Sequence, residues 1–371
     1  MAYIPPHKRH SKDSARNTRF IGLGAHDQFP SSVLLVPTFV ESLKHRFVMK
    51  PLVLVNSYSA TRDETISSTP SETISTTPWE SVADEVWPEL LSAFEIVRNM
   101  LESNGELDEV KPAIFARVGK ILFHPNASVS LNSLLIDRVA ETTLGQMKTT
   151  FYANTPSSYR ENIISGVAPK IGFDLEEDKD MFLILLSDST KPSNSNLYCK
   201  CRIKEDKKLE LYKVEMNPVR LMIEDISCID KNLDLRLALQ TKRILTSLTD
   251  DEMHSIGNII NSAIIDPEVK GGLRWPNGKA CSGDRFAVVR IWHTIAKKYK
   301  STSLSLVARH AERFDFENAK GQASIEVYLK LKRLVSDLQE EKVETDSILD
   351  MFKDNLKMIW DHFLCCEQFY P

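Results

Sequence analysis

The sequence predicts an α+β fold, mainly antiparallel β-sheet with flanking helices, together with a disordered N-terminal arm and a Ser/Thr-rich linker. Three observations carry that prediction. Segments between 168 and 245, and again between 286 and 331, alternate apolar and polar residues at the period of a strand. Short polar turns join them, which suits antiparallel neighbours rather than the long crossovers of a parallel sheet. Helical periodicity is strongest at the flanks, near 88–104 and 345–363, so helices sit outside the strand runs and a doubly wound sheet is disfavoured.

The first nineteen residues carry Lys8, Arg9, Lys12, Arg16 and Arg19 against Asp13 alone and include Pro5-Pro6, so 1–32 reads as a disordered basic arm. Residues 33–55 are apolar and β-branched but broken by Pro37 and Pro51, which permits only short edge strands. In 56–78 an eight-residue unit repeats, Glu64-Thr-Ile-Ser-Ser-Thr-Pro70-Ser71 followed by Glu72-Thr-Ile-Ser-Thr-Thr-Pro78-Trp79. Too few large apolar side chains occur there to offset the entropy of ordering, so the segment reads as a solvated linker. Its Thr69-Pro70 and Thr77-Pro78 pairs are candidate phosphorylation sites. One α+β domain is expected over 79–371, with points of subdivision near 167 and 265.

A helix with Pro88 in its first turn carries Leu90, Leu91, Phe94, Val97, Met100 and Leu101 and ends before Gly105. Strands at 113–123 and 146–152 follow, with short helices opened by Ser130 and by Thr155-Pro156. Further strands are expected at 170–175, 181–186, 197–204, 209–216, 221–228 and 233–241. The hairpin 197–216 is the clearest, because Cys199, Cys201 and Ile203 alternate with Lys200, Arg202 and Lys204 to give one oily face and one basic face. Thr249-Asp250-Asp251-Glu252 opens a helix with acids in its first turn. A loop at 266–284 contains Lys270-Gly271-Gly272-Leu273-Arg274-Trp275-Pro276. Strands at 286–298, 304–310 and 323–331 then lead to helices near 334–341 and 345–363.

The 371 residues include 47 Lys+Arg and 51 Asp+Glu, a formal charge of −4, and six cysteines. The apolar runs at 33–40 and 181–186 fall well short of the ~20 residues that span a bilayer, so no membrane association is expected. The start lacks the apolar core of a secretory signal, and the cysteines read as reduced thiols of a cytoplasmic or nuclear protein. His362, Cys365 and Cys366 complete no zinc spacing, so neither a metal nor a cofactor is expected. No G-x-x-x-x-G-K-[ST] loop, G-x-S-x-G elbow or H-E-x-x-H helix occurs, and Gly22-Leu23-Gly24 lacks the third glycine of a dinucleotide turn. His293 and His310 are the pair to test as general acid and base, although polar residues on a sheet face give the same pattern. Asp230 and Asp234 read either as paired carboxylates or, with Lys231-Asn232, as a turn.

Charge is unevenly spread. Between 285 and 333 eleven basic residues face four acids, whereas 334–371 holds three basic residues and nine acids, and 79–109 one and nine. Strands rich in cations beside Trp275, Trp292 and Tyr299 suit a surface that tracks phosphates and stacks bases. The candidate nucleic-acid-binding residues are Lys270, Arg274, Trp275, Lys279, Arg285, Arg290, His293, Lys297, Lys298, Arg309, His310 and Arg313. Neutralisation of the basic strands by the acidic helices accounts for the same layout.

The opening Tyr3-Ile4-Pro5-Pro6-His7-Lys8-Arg9 is similar to a short element in the disordered arms of DEAD-box RNA helicases, with Lys8 where those proteins usually have leucine. A longer resemblance is to a plant family of uncharacterised proteins, carried by Met1 through Asp13, Asp225 through Arg236, Gly271-Gly-Leu-Arg-Trp-Pro276, Arg309 through Phe316 and Ile359 through Glu367. That resemblance implies a plant origin and one extended domain and supplies no activity or site residue. Three functional readings stand side by side. The first is a non-catalytic RNA-associated or polyanion-binding protein using a basic sheet face. The second is an enzyme acting on an anionic or phosphorylated small substrate, with His293, His310 and Arg309 as candidates. The third is a scaffold that meets other proteins through its N-terminal arm and acidic helices.

Overall fold

In the computed structural model, which describes residues 18–21, 33–38, 50–56, 77–103, 108–125, 144–191, 196–276, 279–283, 285–340 and 344–366, the alternating segments pair into one antiparallel sheet that closes on itself. In chain order the strands begin with β1 (Thr18–Ile21), β2 (Val33–Pro37), β3 (Leu52–Asn56), β4 (Asp108–His124) and β5 (Lys148–Tyr152). They continue with β6 (Asp174–Asp188), β7 (Leu197–Ile203), β8 (Leu209–Met216), β9 (Val219–Cys228) and β10 (Asp234–Leu245). The two-residue strands β11 (Ile264–Ile265), β12 (Leu273–Arg274) and β13 (Cys281–Ser282) precede β14 (Phe286–Lys300), β15 (Leu304–Asp315) and β16 (Lys320–Leu331).

Closure comes from β4. On one edge it pairs with the whole of β10, from Asp234↔Gly119 to Leu245↔Asp108; on the other it meets β16 at Tyr328↔Arg117. The ring then runs β4, β10, β8, β7, β6, β14, β15, β16 and back to β4, an eight-stranded antiparallel barrel. A barrel of that size has an interior that side chains fill or that holds one small ligand.

The helices are α1 (Pro78–Ser103), α2 (Ser157–Asn162), α3 (Ala168–Lys170), α4 (Asp250–Asn261), α5 (Lys332–Gln339) and α6 (Thr345–His362). They pack outside the barrel, because the apolar residues of most strands point outward. One core joins Ile114, Ala116 and Val118 of β4, Leu235, Leu237 and Leu239 of β10, and Val327 and Leu329 of β16 to Leu90, Phe94 and Val97 of α1 and Phe352, Leu356 and Trp360 of α6. A second core joins Phe182, Ile184, Cys199, Cys201, Val214 and Ile291 to Ile256, Ile259 and Ile260 of α4. The capping pattern at Thr249 forms as expected, the hydroxyl accepting from the Glu252 amide and Glu252 accepting from the Thr249 amide.

Several expectations are corrected. Pro88 lies inside α1, not in its first turn; Pro78 takes the opening position, and Val82, Val86 and Trp87 continue the buried stripe across the proline. Packing of that stripe outweighs the hydrogen bond that Pro88 removes. Residues 168–173 are not strand: α3 ends at a left-handed Gly172, φ +78°, and β6 starts only at Asp174. Within the arm, Thr18–Ile21 pairs parallel with β9, and Arg19 reaches the buried Glu224 at 2.7 Å. Thr77 donates its amide and its hydroxyl to Glu80 at the start of α1. Thr69-Pro70 and the helix expected from Ser130 lie outside the described residues. None of the six cysteines forms a disulfide, and no described helix is long and apolar enough to cross a membrane.

Candidate functional site

With the apolar positions of each strand turned out against helices, the alternate positions turn into the barrel. Near the middle, every one of the eight strands sends in a basic side chain. These are Arg117 from β4, Lys179 from β6, Lys200 from β7, Lys213 from β8, Lys242 from β10, Lys298 from β14, Arg309 from β15 and Lys330 from β16. Apolar side chains Phe115, Ala296, Val307 and Tyr328 fill part of the same interior and support the cations. Arg117 and Arg309 lie over the Tyr328 ring at 5.1 and 5.4 Å, and Lys330 over Phe115 at 5.5 Å.

Two carboxylates organise this cluster. Glu326 takes Arg117 at 3.0 Å and Arg309 at 2.8 Å, and Glu215, only 5% exposed, takes Lys200 at 2.7 Å, Lys213 at 3.4 Å and Lys242 at 3.8 Å. At one end Lys298 and Lys179 pair with Glu176 at 2.7 Å and Glu177 at 2.9 Å. Among the described residues Lys330 has no carboxylate partner and the buried Arg309 Nε has no acceptor. Positive charge is therefore in excess. Burial, then the ammonium groups of Lys242, Lys200, Lys298 and Lys179, pull the Lys330 pKa down to about 7; burial and Lys200 pull that of Lys242 down to about 8. Glu326 and Glu215 are held below the ordinary range against their own burial by the cations they bind. Apart from Lys330, these inward side chains keep between 19% and 35% of their exposure, so water reaches the interior.

Nearer the other end, Arg290 makes a forked contact with Asp315, at 2.9 and 2.5 Å, and Arg313 approaches the same carboxylate at 3.5 Å. Both guanidinium groups lie 5.6 Å from the Trp292 ring, and Trp292 stacks on Tyr198 at 6.2 Å. Of the residues expected from sequence, Arg290, Lys298, Arg309 and Arg313 thus all turn into the barrel, Lys298 toward one end and Arg290 and Arg313 toward the other. His293, Lys297 and His310 occupy the opposite face of the same strands; His293 stacks on Phe182 at 4.4 Å and meets Asp180 at 2.7 Å. The barrel wall therefore separates Arg309 from His293 and His310. Lys270, Arg274, Trp275 and Lys279 lie on an outer loop, and Arg285 is paired with Asp188 and Glu252. Asp230 is exposed, whereas Asp234 is buried and accepts from Lys120 and from the Ile121 and Cys228 amides, which makes it a structural anchor. Among the described residues no group of three or more His, Cys, Asp or Glu comes together as a metal site.

Sequence reasoning missed Arg117, Lys179, Lys200, Lys213, Lys242, Lys330 and both organising glutamates. The signal was parity: each sits on the polar face of a strand whose other face is oily.

A family model for a domain of unknown function, DUF7903, matches residues 9–363. The chain belongs to that family. No curated protein matches the sequence. Among solved structures, the S. pombe Pct1 RNA triphosphatase is similar at 10% identity with a TM-score of 0.44, covering 79% of the DUF7903 chain and 96% of the S. pombe chain. The same enzyme in complex with the Spt5 CTD gives 10% identity and a TM-score of 0.42, covering 74% and 91%. At such TM-scores neither likeness bears on the chemistry, which is read from the barrel alone.

Proposed function

We propose that this DUF7903 protein binds a compact phosphorylated anion inside its barrel. The observation that carries the reading is the ring of eight basic side chains, one from each strand, around an interior with too few carboxylates to balance them. Such a ring is unfavourable when empty, since like charges crowd in a confined space that water reaches only in part. A polyanion supplies the missing counter-charge. Arginine forks suit paired phosphate oxygens, and lysines act as point charges around them. Glu326 and Glu215 hold five of the cations in position before a ligand arrives, which lowers the ordering cost of binding. Both carboxylates are already occupied by cations and His293 and His310 lie outside, so the reading is of binding rather than turnover.

The test is calorimetric titration with inorganic tripolyphosphate. Binding is expected, weakened at least about tenfold by Arg309→Met and by Lys330→Met, each of which removes a charge-assisted contact of ~1.5–3 kcal/mol. Lack of binding by the folded wild-type protein, or wild-type affinity in both folded variants, would overturn the reading.

A further inference from the structure

Outside the barrel, the Lys270 to Pro276 loop and the end of β15 border an open concavity of about 410 Å³, lined by Lys270, Arg274, Trp275, Pro276, Phe314 and Phe316 among others. The loop is pressed onto the wall by two consecutive left-handed glycines. A Cβ on Gly271, φ +83°, would lie 2.6 Å from Ile291 Cδ1 and 2.7 Å from Phe314 Cβ, and one on Gly272, φ +75°, would lie 3.3 Å from the Phe182 ring. Trp275 is fixed by its indole N–H, which donates to the Ile259 carbonyl at 2.8 Å. Asp266 fixes Arg274 by accepting from Nε at 2.7 Å, and the terminal guanidinium nitrogens have no further carboxylate partner among the described residues.

The lining combines aromatic surface with cations. Trp275 meets Phe316 edge to face at 6.1 Å, Phe316 meets Phe314 in the same way at 5.0 Å, and Phe316 remains 40% exposed. Lys270 is exposed, and among the described residues it pairs with no carboxylate and no acid lines the cleft. Stacking surface beside two cations suits a ligand with a planar ring and a phosphate a few ångströms apart.

We propose that this cleft binds a nucleoside phosphate unit, the base against Phe316 and Trp275 and the phosphate at Lys270 and Arg274. The site is separate from the barrel interior and does not depend on what the interior binds. The unit is supplied either by a free nucleotide or by a stretch of single-stranded RNA.

Fluorescein-labelled oligo-uridylate and uridine monophosphate are the probes, added to the full chain at low salt. Oligo-uridylate binding is expected to weaken about tenfold in Phe316→Ala and again in a Lys270→Ala, Arg274→Ala double variant, while staying unchanged in Lys208→Ala, an exposed cation on the turn between β7 and β8. Binding of the monophosphate with the same variant pattern assigns a free-nucleotide site, and its absence beside binding of the oligomer assigns an RNA strand. Thermal melts of each variant report folding independently. Folded cleft variants that bind oligo-uridylate as the wild type does would overturn the proposal, as would failure of the folded wild type to bind either probe. Retained tripolyphosphate binding in those variants leaves the barrel reading intact.

Discussion

Lys330 has the least compensated charge in the barrel. Its ammonium faces Lys242, Lys200, Lys298 and Lys179 and rests on Phe115 without an acid to hold it, which is why its pKa falls to about 7. The sign of the consequence follows from proton counting. Between the folded value and the ordinary lysine value of ~10.4, the unfolded chain binds more protons than the folded one, so this group makes stability rise with pH across that window. Lys242, at about 8, acts in the same direction. A bound polyanion reverses the preference by favouring the charged ammonium, so it takes up protons. Tripolyphosphate affinity is therefore expected to fall as pH rises from 7 to 9, by at most about tenfold per pH unit for each proton taken up. Calorimetry in buffers of different ionisation enthalpy measures that uptake. Lys330→Met is expected to flatten both slopes, and a pH-independent affinity in the wild type would contradict the account of this residue.

Among the strands, β4 makes the barrel possible, because it is the one that pairs with β10 on one edge and β16 on the other. It also pairs with β5 from Lys120↔Tyr152 to His124↔Lys148, and just before that pairing Gly119 leaves no room for a side chain. A Cβ there would lie 2.3 Å from the Tyr152 carbonyl oxygen and 2.8 Å from the Phe151 ring. Neither neighbour is the loose end of a flexible chain, so Gly119→Ala is expected to cost about 2 kcal/mol or more by forcing β5 away from the barrel. Urea unfolding monitored by circular dichroism measures the loss. A midpoint within error of the wild type would show that β5 yields without cost. Strand elements like these were largely legible from sequence. In 197–203 the alternation of cysteines with Lys200 and Arg202 gave both the strand and its two faces. What period two cannot state is what each face looks at. In the fold, α4 covers the oily side of this hairpin and the barrel encloses the basic one. Closure depends on β10 meeting β4 across more than a hundred residues, and no local pattern encodes that register. Arg290, Lys298, Arg309 and Arg313 were identifiable as a basic set; Arg117 and Lys242 were invisible because their partners lie in other parts of the chain.

Taken as a whole, the molecule keeps its two signs of charge apart. Acidic residues of α1 and α6 face outward, where Asp84 pairs with Lys353 and Glu85 and Glu89 with Arg19, so they do not neutralise the barrel cations. The formal charge of −4 is then a poor guide to what the protein attracts, because the positive part is concentrated in a confined, weakly screened interior. On the proposed reading, an anion entering the barrel relieves the repulsion among those cations. Tripolyphosphate at a hundred times its dissociation constant is expected to stabilise the fold by ~2.7 kcal/mol, a rise in melting temperature of about 3 to 5 °C. Potassium chloride at matched ionic strength screens without bridging and is expected to shift the melt by far less. Lys330→Met relieves the same repulsion covalently, so it is expected to melt higher than the wild type without ligand and to gain less from tripolyphosphate. Differential scanning fluorimetry on both proteins separates these effects. If the variant melts lower and still gains the full increment, the interior charge is not under strain and the anion binds elsewhere.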